Sequence, residues 1–558
     1  MRASRTVLGT ILVMGATGLQ GAMDRAGAQT AGYFFGLSSP GAITQGGSNS
    51  QLYNASRAIL QPNAPPMLFS ANIGVDGILT DNAEQTAGDR ERDFSSVFSA
   101  GGILTADTVR FSGLLSATAT YQAYANNSQF DQWAGYGFGH VRAIVLPSVA
   151  YIDFFGSADD AVRTGGGIEK SFIQPDQNTH YYSAGASPVL VLPFARSATS
   201  FTQYRISRVW FVNNTQTIDI PGLSLGPVSN ETDQSLREDL RLPGAIAPRL
   251  LTDVSLNASD TDTGNSFSGD LKRASAEWIN EYEITRAVSG IFGAGYEDVS
   301  NTSVPSAGDR GMIWDVGARV KPNADSYLLL VYGRHDGFTD FAGELAWRIG
   351  PRTDLYAEYS DSLTTAQQGF TGGNAGAVLA PDGAVTGITY NQNPLIGVLD
   401  DSLLNGGPGS DSILPALGIP IGTADNLSPL QDGLFRVRQL SGSARWLGDA
   451  NQLVLTGYYA NNQSLTPLET PSSTISGGNL SWSRSLVPSL TGQAQVAYSR
   501  VSGTEDADLY QFSAGADYLA SETISLSLRY DLIWHKAIGN GAGYVQNAIT
   551  LSIHKSFD

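Results

Sequence analysis

The sequence predicts a transmembrane antiparallel β-barrel of about 22 strands, with roughly 18 to 24 as the range that the pattern allows. Apolar and polar side chains alternate through most of the chain, which is the period of a strand with two different faces. The alternating segments are near the ~10 residues that a tilted strand needs to cross a bilayer. Charged residues make up only 15% of the 558 residues, whereas a soluble chain has about a quarter.

The first residues indicate export. Arg2 and Arg5 precede a short apolar run, and small residues follow at 26–28, so residues 1–28 are typical of a cleaved signal peptide. We therefore expect a mature chain in the outer membrane of a Gram-negative cell. Residues 29–66 show little alternation and are interpreted as a periplasmic extension or a plug, and the barrel is expected over 67–558.

The segment "TISLSLRYDLIWHK" at 523–536 shows the strand pattern most clearly. Leu528, Tyr530 and Trp534 fall on one face, and Arg529 and Asp531 fall on the other. Such a strand suits a wall with lipid outside and water inside. The same alternation recurs at 69–79, 111–125, 271–284, 353–363, 451–460 and 509–520.

The connections alternate in length, which is an independent sign of an outer-membrane barrel. Tight turns are predicted near 106–107, 286, 350–351, 448–449 and 520–521, and longer loops at 81–93, 157–178, 213–233 and 301–310. Such barrels have short periplasmic turns and long extracellular loops. The last strand ends with Phe557 followed by Asp558, close to the terminal Phe that many bacterial barrels carry.

The strand pattern also predicts which charges face the lumen. An Arg or Lys facing lipid near the midplane costs about 2–4 kcal/mol, so charged residues within strands are expected to point inward. Their simplest role is to pair across neighbouring strands and stiffen the wall. The candidates are Arg237, Asp239, Arg241, Arg273, Glu277, Glu281, Asp315, Arg319, Glu344, Arg348, Asp354, Glu358, Arg436, Arg438, Asp517, Arg529 and Asp531.

One connection, 364–431, is far longer than the others and is rich in Leu and Ile. Solvent disfavours exposing so many apolar residues together, so we expect this connection to fold back onto the barrel. It is either an extracellular cap or a loop that enters the lumen. A barrel of this size encloses a wide lumen that needs a plug.

Part of the chain resembles a known family. The resemblance covers residues 267–365 and rests on the strand end "GYED" at 295–298, Trp314, "YGR" at 332–334 and "YS" at 359–360 before two threonines. In these features the chain is similar to outer-membrane barrels associated with PEP-CTERM and exosortase gene clusters. The resemblance implies a role in exopolysaccharide export, which is assigned to that family largely by gene neighbourhood. It implies no catalytic residues.

Several other functions are disfavoured by the residues present. The sequence has no cysteine and only five scattered histidines, and we expect no enzyme activity, no cofactor and no metal site. The net charge of −19 argues against a nucleic-acid partner. The expected partners are outer-membrane lipid and lipopolysaccharide, the barrel-assembly machinery, and, for an exporter, a polysaccharide and a periplasmic export partner. The alternatives are a diffusion porin and a non-conducting structural surface protein.

Overall fold

The computed structural model describes residues 67–557 with gaps. The gaps fall at 89, 148, 163–177, 196–197, 213–217, 221–222, 226–228, 245, 265–268, 306–307, 324–325, 366–367, 369–374, 380–384, 391–432, 467–471, 504–505, 522 and 539–542. The predicted signal peptide, the predicted extension or plug at 29–66 and most of the connection 364–431 lie outside the described residues.

Twenty-two long strands form one sheet, in agreement with the strand number that the sequence predicts. We number them β1 to β22 in chain order: Met67–Thr80, Asp93–Asp107, Phe111–Tyr124, Gln132–Leu146, Ala150–Val162, Asn178–Ala195, Ala198–Val212, Glu231–Pro243, Leu250–Asp262, Leu271–Thr285, Val288–Asn301, Asp309–Asn323, Ser326–His335, Phe338–Arg348, Thr353–Thr365, Leu434–Leu447, Asn451–Ser464, Ser473–Val487, Leu490–Ser502, Ala507–Leu519, Ile524–Ala537 and Tyr544–Phe557.

Smaller elements lie in the connections. A 3-10 turn spans Ser128–Phe130, and two small hairpins pair Ile218–Ile220 with Leu223–Leu225 and Ala375–Leu379 with Val385–Tyr390. The strand Val385–Tyr390 lies near β3. Among the described residues, none belongs to a helix long and apolar enough to cross a membrane.

The sheet closes on itself. Each strand pairs antiparallel with the next, and β1 pairs with β22 from Ala71 opposite Phe557 to Thr80 opposite Ala548. Closure gives the first and last strands hydrogen-bonding partners on both sides, which a strand exposed to lipid requires. The predicted fold class, a transmembrane antiparallel β-barrel, is confirmed.

The two ends of the barrel differ in their connections. At the short-turn end the strands are joined by short segments such as 108–110, 286–287, 349–352 and 448–450. At the long-loop end they are joined by 81–92, 163–177, 213–230 and 366–433. One connection at the long-loop end is short, because Asp336 and Gly337 alone join β13 to β14, and both adopt positive φ angles. This hairpin therefore has no extended loop.

The wall has an apolar outer face. On β21, Leu528 and Trp534 are 56% and 47% exposed, whereas Arg529 and Asp531 between them are buried. Exposed aromatic side chains mark both ends of the outer face, as in membrane-interface belts. They include Trp133, Trp210, Tyr510 and Trp534 towards the long-loop end and Phe69, Phe111, Tyr282, Trp446 and Phe557 at the short-turn end.

Candidate functional site

The predicted lumen-facing residues fall into two groups. All of them except Arg436 and Arg438 lie on the inner face of the wall, opposite the exposed apolar side chains of their own strands: Arg237, Asp239, Arg241, Arg273, Glu277, Glu281, Asp315, Arg319, Glu344, Arg348, Asp354, Glu358, Asp517, Arg529 and Asp531. Arg436 and Arg438 lie on the other face of β16, since they share the alternation of Leu440 and Trp446.

Many of the inner charges join neighbouring strands. Arg241 Nε lies 3.3 Å from Asp253 Oδ1 between β8 and β9. Arg348 on β14 and Arg445 on β16 both contact the Asp354 carboxylate of β15, each at 2.9 Å. Buried charges are tolerated when they are paired in this way. These contacts therefore hold the wall together, which is the simplest role that the sequence predicts for them.

Another part of the inner face is apolar. Ile279, Ile291, Leu329 and Val331 form a buried cluster that also contains Tyr327, Ala342, Ala346 and Tyr356. At its edge the Tyr327 and Tyr356 hydroxyls donate hydrogen bonds to Glu344 and Glu358, respectively. Two of the predicted lumen residues are thus bound to tyrosines beside a packed surface.

The end of β15 and the start of the longest connection reach the opposite inner wall. Thr365, the last residue of β15, donates a hydrogen bond from Oγ1 to Glu231 Oε2 on β8. Gln368 Nε2 donates to Thr261 Oγ1 on β9 at 2.9 Å. Seven strand spacings separate β8 from β15 along the sheet, roughly 34 Å at about 4.8 Å each. Thr365 and Gln368 can reach β8 and β9 only if the long-loop end of β15 lies inside the barrel.

Arg273 on β10 makes a second contact of this kind. Its guanidinium contacts Asp336 in the β13–β14 turn at 3.1 Å and donates a hydrogen bond to the Leu363 carbonyl on β15. The Asp336 carboxylate in turn accepts the Leu363 backbone N–H at 3.3 Å. One arginine therefore ties together the wall, the short hairpin and the end of β15. We call these contacts, with those of Thr365 and Gln368 and the apolar cluster described next, the constriction.

Apolar packing supports the constriction. Leu271 and Val299 on the inner face of β10 and β11 form a buried cluster with Leu363 of β15 and Leu434 of β16. Both leucines of β15 and β16 are essentially inaccessible, at 1% and 0% exposure. Burying a leucine side chain contributes roughly 1.5–3 kcal/mol. The strand ends are therefore packed against the far wall as well as hydrogen-bonded to it.

The same displacement explains the unexpected face of Arg436 and Arg438. Arg436 forms an ion pair with Asp361 and lies 3.3 Å from Asp340, and its guanidinium stacks 4.0 Å from the Phe338 ring centroid. Arg438 lies 3.5 Å from Asp340 and 3.6 Å from Asp361. Between β14 and β15 the pairing runs only from Arg348–Asp354 to Gly343–Tyr359, so this cluster occupies the place where the strands separate.

Several residues of this site are not among those that the sequence predicts. They are Asp336, Asp340, Asp361, Thr365 and Glu231. The sequence does carry a signal on β15 and β16, where charged residues occupy the same alternate positions as the outward apolar side chains.

Comparisons with known proteins give likenesses to other barrels. No protein-family model matches the chain, and a comparison with curated proteins finds no match. Among solved structures, the ferric enterobactin receptor PfeA of Pseudomonas aeruginosa gives a TM-score of 0.44 at 10% identity, covering 88% of this chain and 81% of that chain. OprD of the same organism gives 0.32 at 10% identity, with 88% and 95% covered.

A third likeness is to the outer membrane protein opdK of Pseudomonas aeruginosa. It has a TM-score of 0.33 and 8% identity, and 88% of this chain and 99% of that chain are covered. The assignment of this chain as an outer-membrane type of barrel rests on its closed sheet and apolar outer face. The resemblance to the exosortase-associated family stays a prediction.

Proposed function

We propose that the protein is an outer-membrane channel that passes a polymer, most simply an exopolysaccharide, through a lumen that is closed at rest by the constriction. The observation that supports this is the contact of Thr365 with Glu231 across the barrel. A passage for a bulky chain has to be sealed when empty, because a barrel of 22 strands is wide. The resemblance of residues 267–365 to exosortase-associated barrels supplies the polysaccharide part of the proposal.

The constriction is suited to a seal that opens. Its contacts are a few hydrogen bonds, one ion pair and a small apolar cluster, and the barrel ladder remains complete without them. Moving the ends of β15 and β16 aside therefore leaves every strand of the wall paired along most of its length. A polymer with many hydroxyl groups would then meet an inner face rich in paired charges, which can exchange hydrogen bonds with it.

Reversible crosslinking tests the proposal directly, because the natural chain has no cysteine. The pair Glu231→Cys and Thr365→Cys, joined by a short crosslinker that a reductant cleaves, should lock the constriction. Surface polysaccharide should fall in crosslinked cells and recover after reduction. The matched control, Arg241→Cys with Asp253→Cys, links two neighbouring strands of the same wall and should leave the polysaccharide unchanged.

The outcomes separate the three functions. Steady conductance of the unmodified protein in planar bilayers would contradict the proposal and show that the protein is a diffusion porin. A protein that conducts in neither the locked nor the released state would be a structural surface protein. Unchanged surface polysaccharide after deletion of the gene would rule out polysaccharide as the cargo.

A further inference from the structure

Three side chains of the inner wall meet beside the turn of the short hairpin. His335, Asp315 and Glu277 place one nitrogen or carboxylate oxygen each within 4.8 Å of one another. His335 Nε2 lies 3.0 Å from Asp315 Oδ1 and 3.8 Å from Glu277 Oε1. The three residues belong to β13, β12 and β10, so the cluster is built by strand register and not by a local sequence motif.

Glycines make room for the central carboxylate. Asp315 pairs with Gly293 on one side and with Gly333 on the other. A Cβ atom at Gly333 would lie 2.0 Å from Asp315 Oδ1, and one at Gly293 would lie 3.0 Å from Oδ2. With side chains at these positions the carboxylate could not lie across the neighbouring strands. The backbone of the wall is therefore shaped around Asp315.

The cluster contains two buried carboxylates beside one imidazole. Glu277 is 6% exposed and Asp315 is 1% exposed, and Glu277 Oε1 and Asp315 Oδ2 have no hydrogen-bond partner among the described residues. The arginines Arg273 and Arg319 are held by other carboxylates, Asp336 and Glu281. Burying two carboxylates requires compensating positive charge, which a metal ion can supply in place of protons.

We propose that Glu277, Asp315 and His335 bind a divalent first-row transition metal of the zinc class. One imidazole nitrogen and two carboxylate oxygens are a ligand set that such ions accept, and three protein ligands leave a position for water. Tetrahedral ligands at about 2.1 Å lie roughly 3.4 Å apart, so the cluster has to close slightly around the ion. The imidazole excludes the all-oxygen environment that Ca²⁺ and Mg²⁺ prefer.

The surroundings hold the ligands in place. The Glu297 carboxylate accepts the backbone N–H groups of Asp336 and Gly337 at 3.0 and 3.1 Å, which fixes the turn directly after His335. Asp336 is also the residue that contacts Arg273 in the constriction. A bound ion would clamp the β13–β14 hairpin to β10 and β12. The site itself does not depend on the proposed transport function.

Metal titration of the purified, folded barrel tests the proposal. We expect one Zn²⁺ per chain by isothermal titration after removal of metal, and a visible absorption band when Co²⁺ is used in its place. Loss of a residue that only hydrogen-bonds a metal ligand lowers metal affinity roughly 10- to 100-fold. His335→Ala and Asp315→Asn, which remove ligands themselves, should each weaken Zn²⁺ binding by at least that factor. His535→Ala is the matched control, because His535 lies on the inner face of β21, where its ring stacks on Tyr544.

Folding is checked separately by heat-modifiable migration in gels, so that a misfolded variant is not mistaken for one that has lost a ligand. The proposal is overturned if the folded parent binds no Zn²⁺. It is also overturned if His535→Ala weakens binding as much as His335→Ala, or if excess Ca²⁺ displaces Zn²⁺ stoichiometrically. Binding that survives both His335→Ala and Asp315→Asn would place the ion elsewhere.

Discussion

Replacing Arg273 by alanine should release the constriction. The substitution removes an ion pair to Asp336 at 3.1 Å and a hydrogen bond to the Leu363 carbonyl. A hydrogen bond to a charged group contributes about 1.5–3 kcal/mol. Arg273 is one-quarter exposed, so we take a loss of about 2 kcal/mol for the two contacts together. That free energy corresponds to a shift of roughly 30-fold between closed and open states.

Single-channel recording in planar bilayers measures this shift as a rise in open probability. Arg142→Ala is the control. The ion pair of Arg142 with Asp153, at 2.8 Å, joins the neighbouring strands β4 and β5 and does not cross the lumen. If folded Arg273→Ala protein stays as closed as the parent, the contact does not hold the lumen shut. Equal opening in both variants would show general weakening of the wall.

Three further predictions concern the membrane and the long connection. Leu528→Arg should lower the yield of folded barrel in lipid vesicles, because an outward arginine costs up to ~2–4 kcal/mol. Ser527→Arg should fold, because residue 527 faces inward opposite Asp517. Equal yields of the two variants would refute the face assignment. Single cysteines within 81–93, 213–233 and 364–431 should be labelled on intact cells and a cysteine at Gly350 should not, and the reverse pattern would invert the topology. Replacing 373–428 by a short Gly/Ser linker should raise conductance, because this apolar connection is expected to fold back onto the barrel and narrow the lumen in addition to the constriction. A folded variant that conducts no better leaves the ends of β15 and β16 as the closure.

The features that the sequence predicts well are those set by a strict local rule. A strand between lipid and lumen alternates at every residue, so the period identifies the wall without knowledge of strand neighbours. The alternation of short and long connections follows from the up-and-down order of the strands. For the same reason the inward face of Arg529 and Asp531 could be derived from Leu528 and Trp534 alone.

The features that it could not predict depend on contacts between distant parts of the chain. Thr365 and Glu231 are joined across the barrel, and no local pattern relates them. Likewise Glu277 and His335 meet because β10, β12 and β13 have a particular register, and a shift of one residue would turn one of the side chains outward. Isolated histidines and carboxylates in a sequence therefore say little about a site of this kind.

The inward turn of β15 and β16 nevertheless has a cause that can be read from the strands themselves. In a wall of lipid-facing strands, Arg436 and Arg438 would occupy the same outer face as Leu440 and Trp446. Each arginine held in hydrocarbon would cost up to about 2–4 kcal/mol, and Asp361 on β15 would add to that cost. With the strand ends inside the barrel, Arg436 instead contacts Asp361, Asp340 and the Phe338 ring. The outward charges therefore disfavour a straight continuation of these two strands through lipid. The Asp340 and Asp361 carboxylates, where β14 separates from β15, stabilise the bent path that closes the lumen.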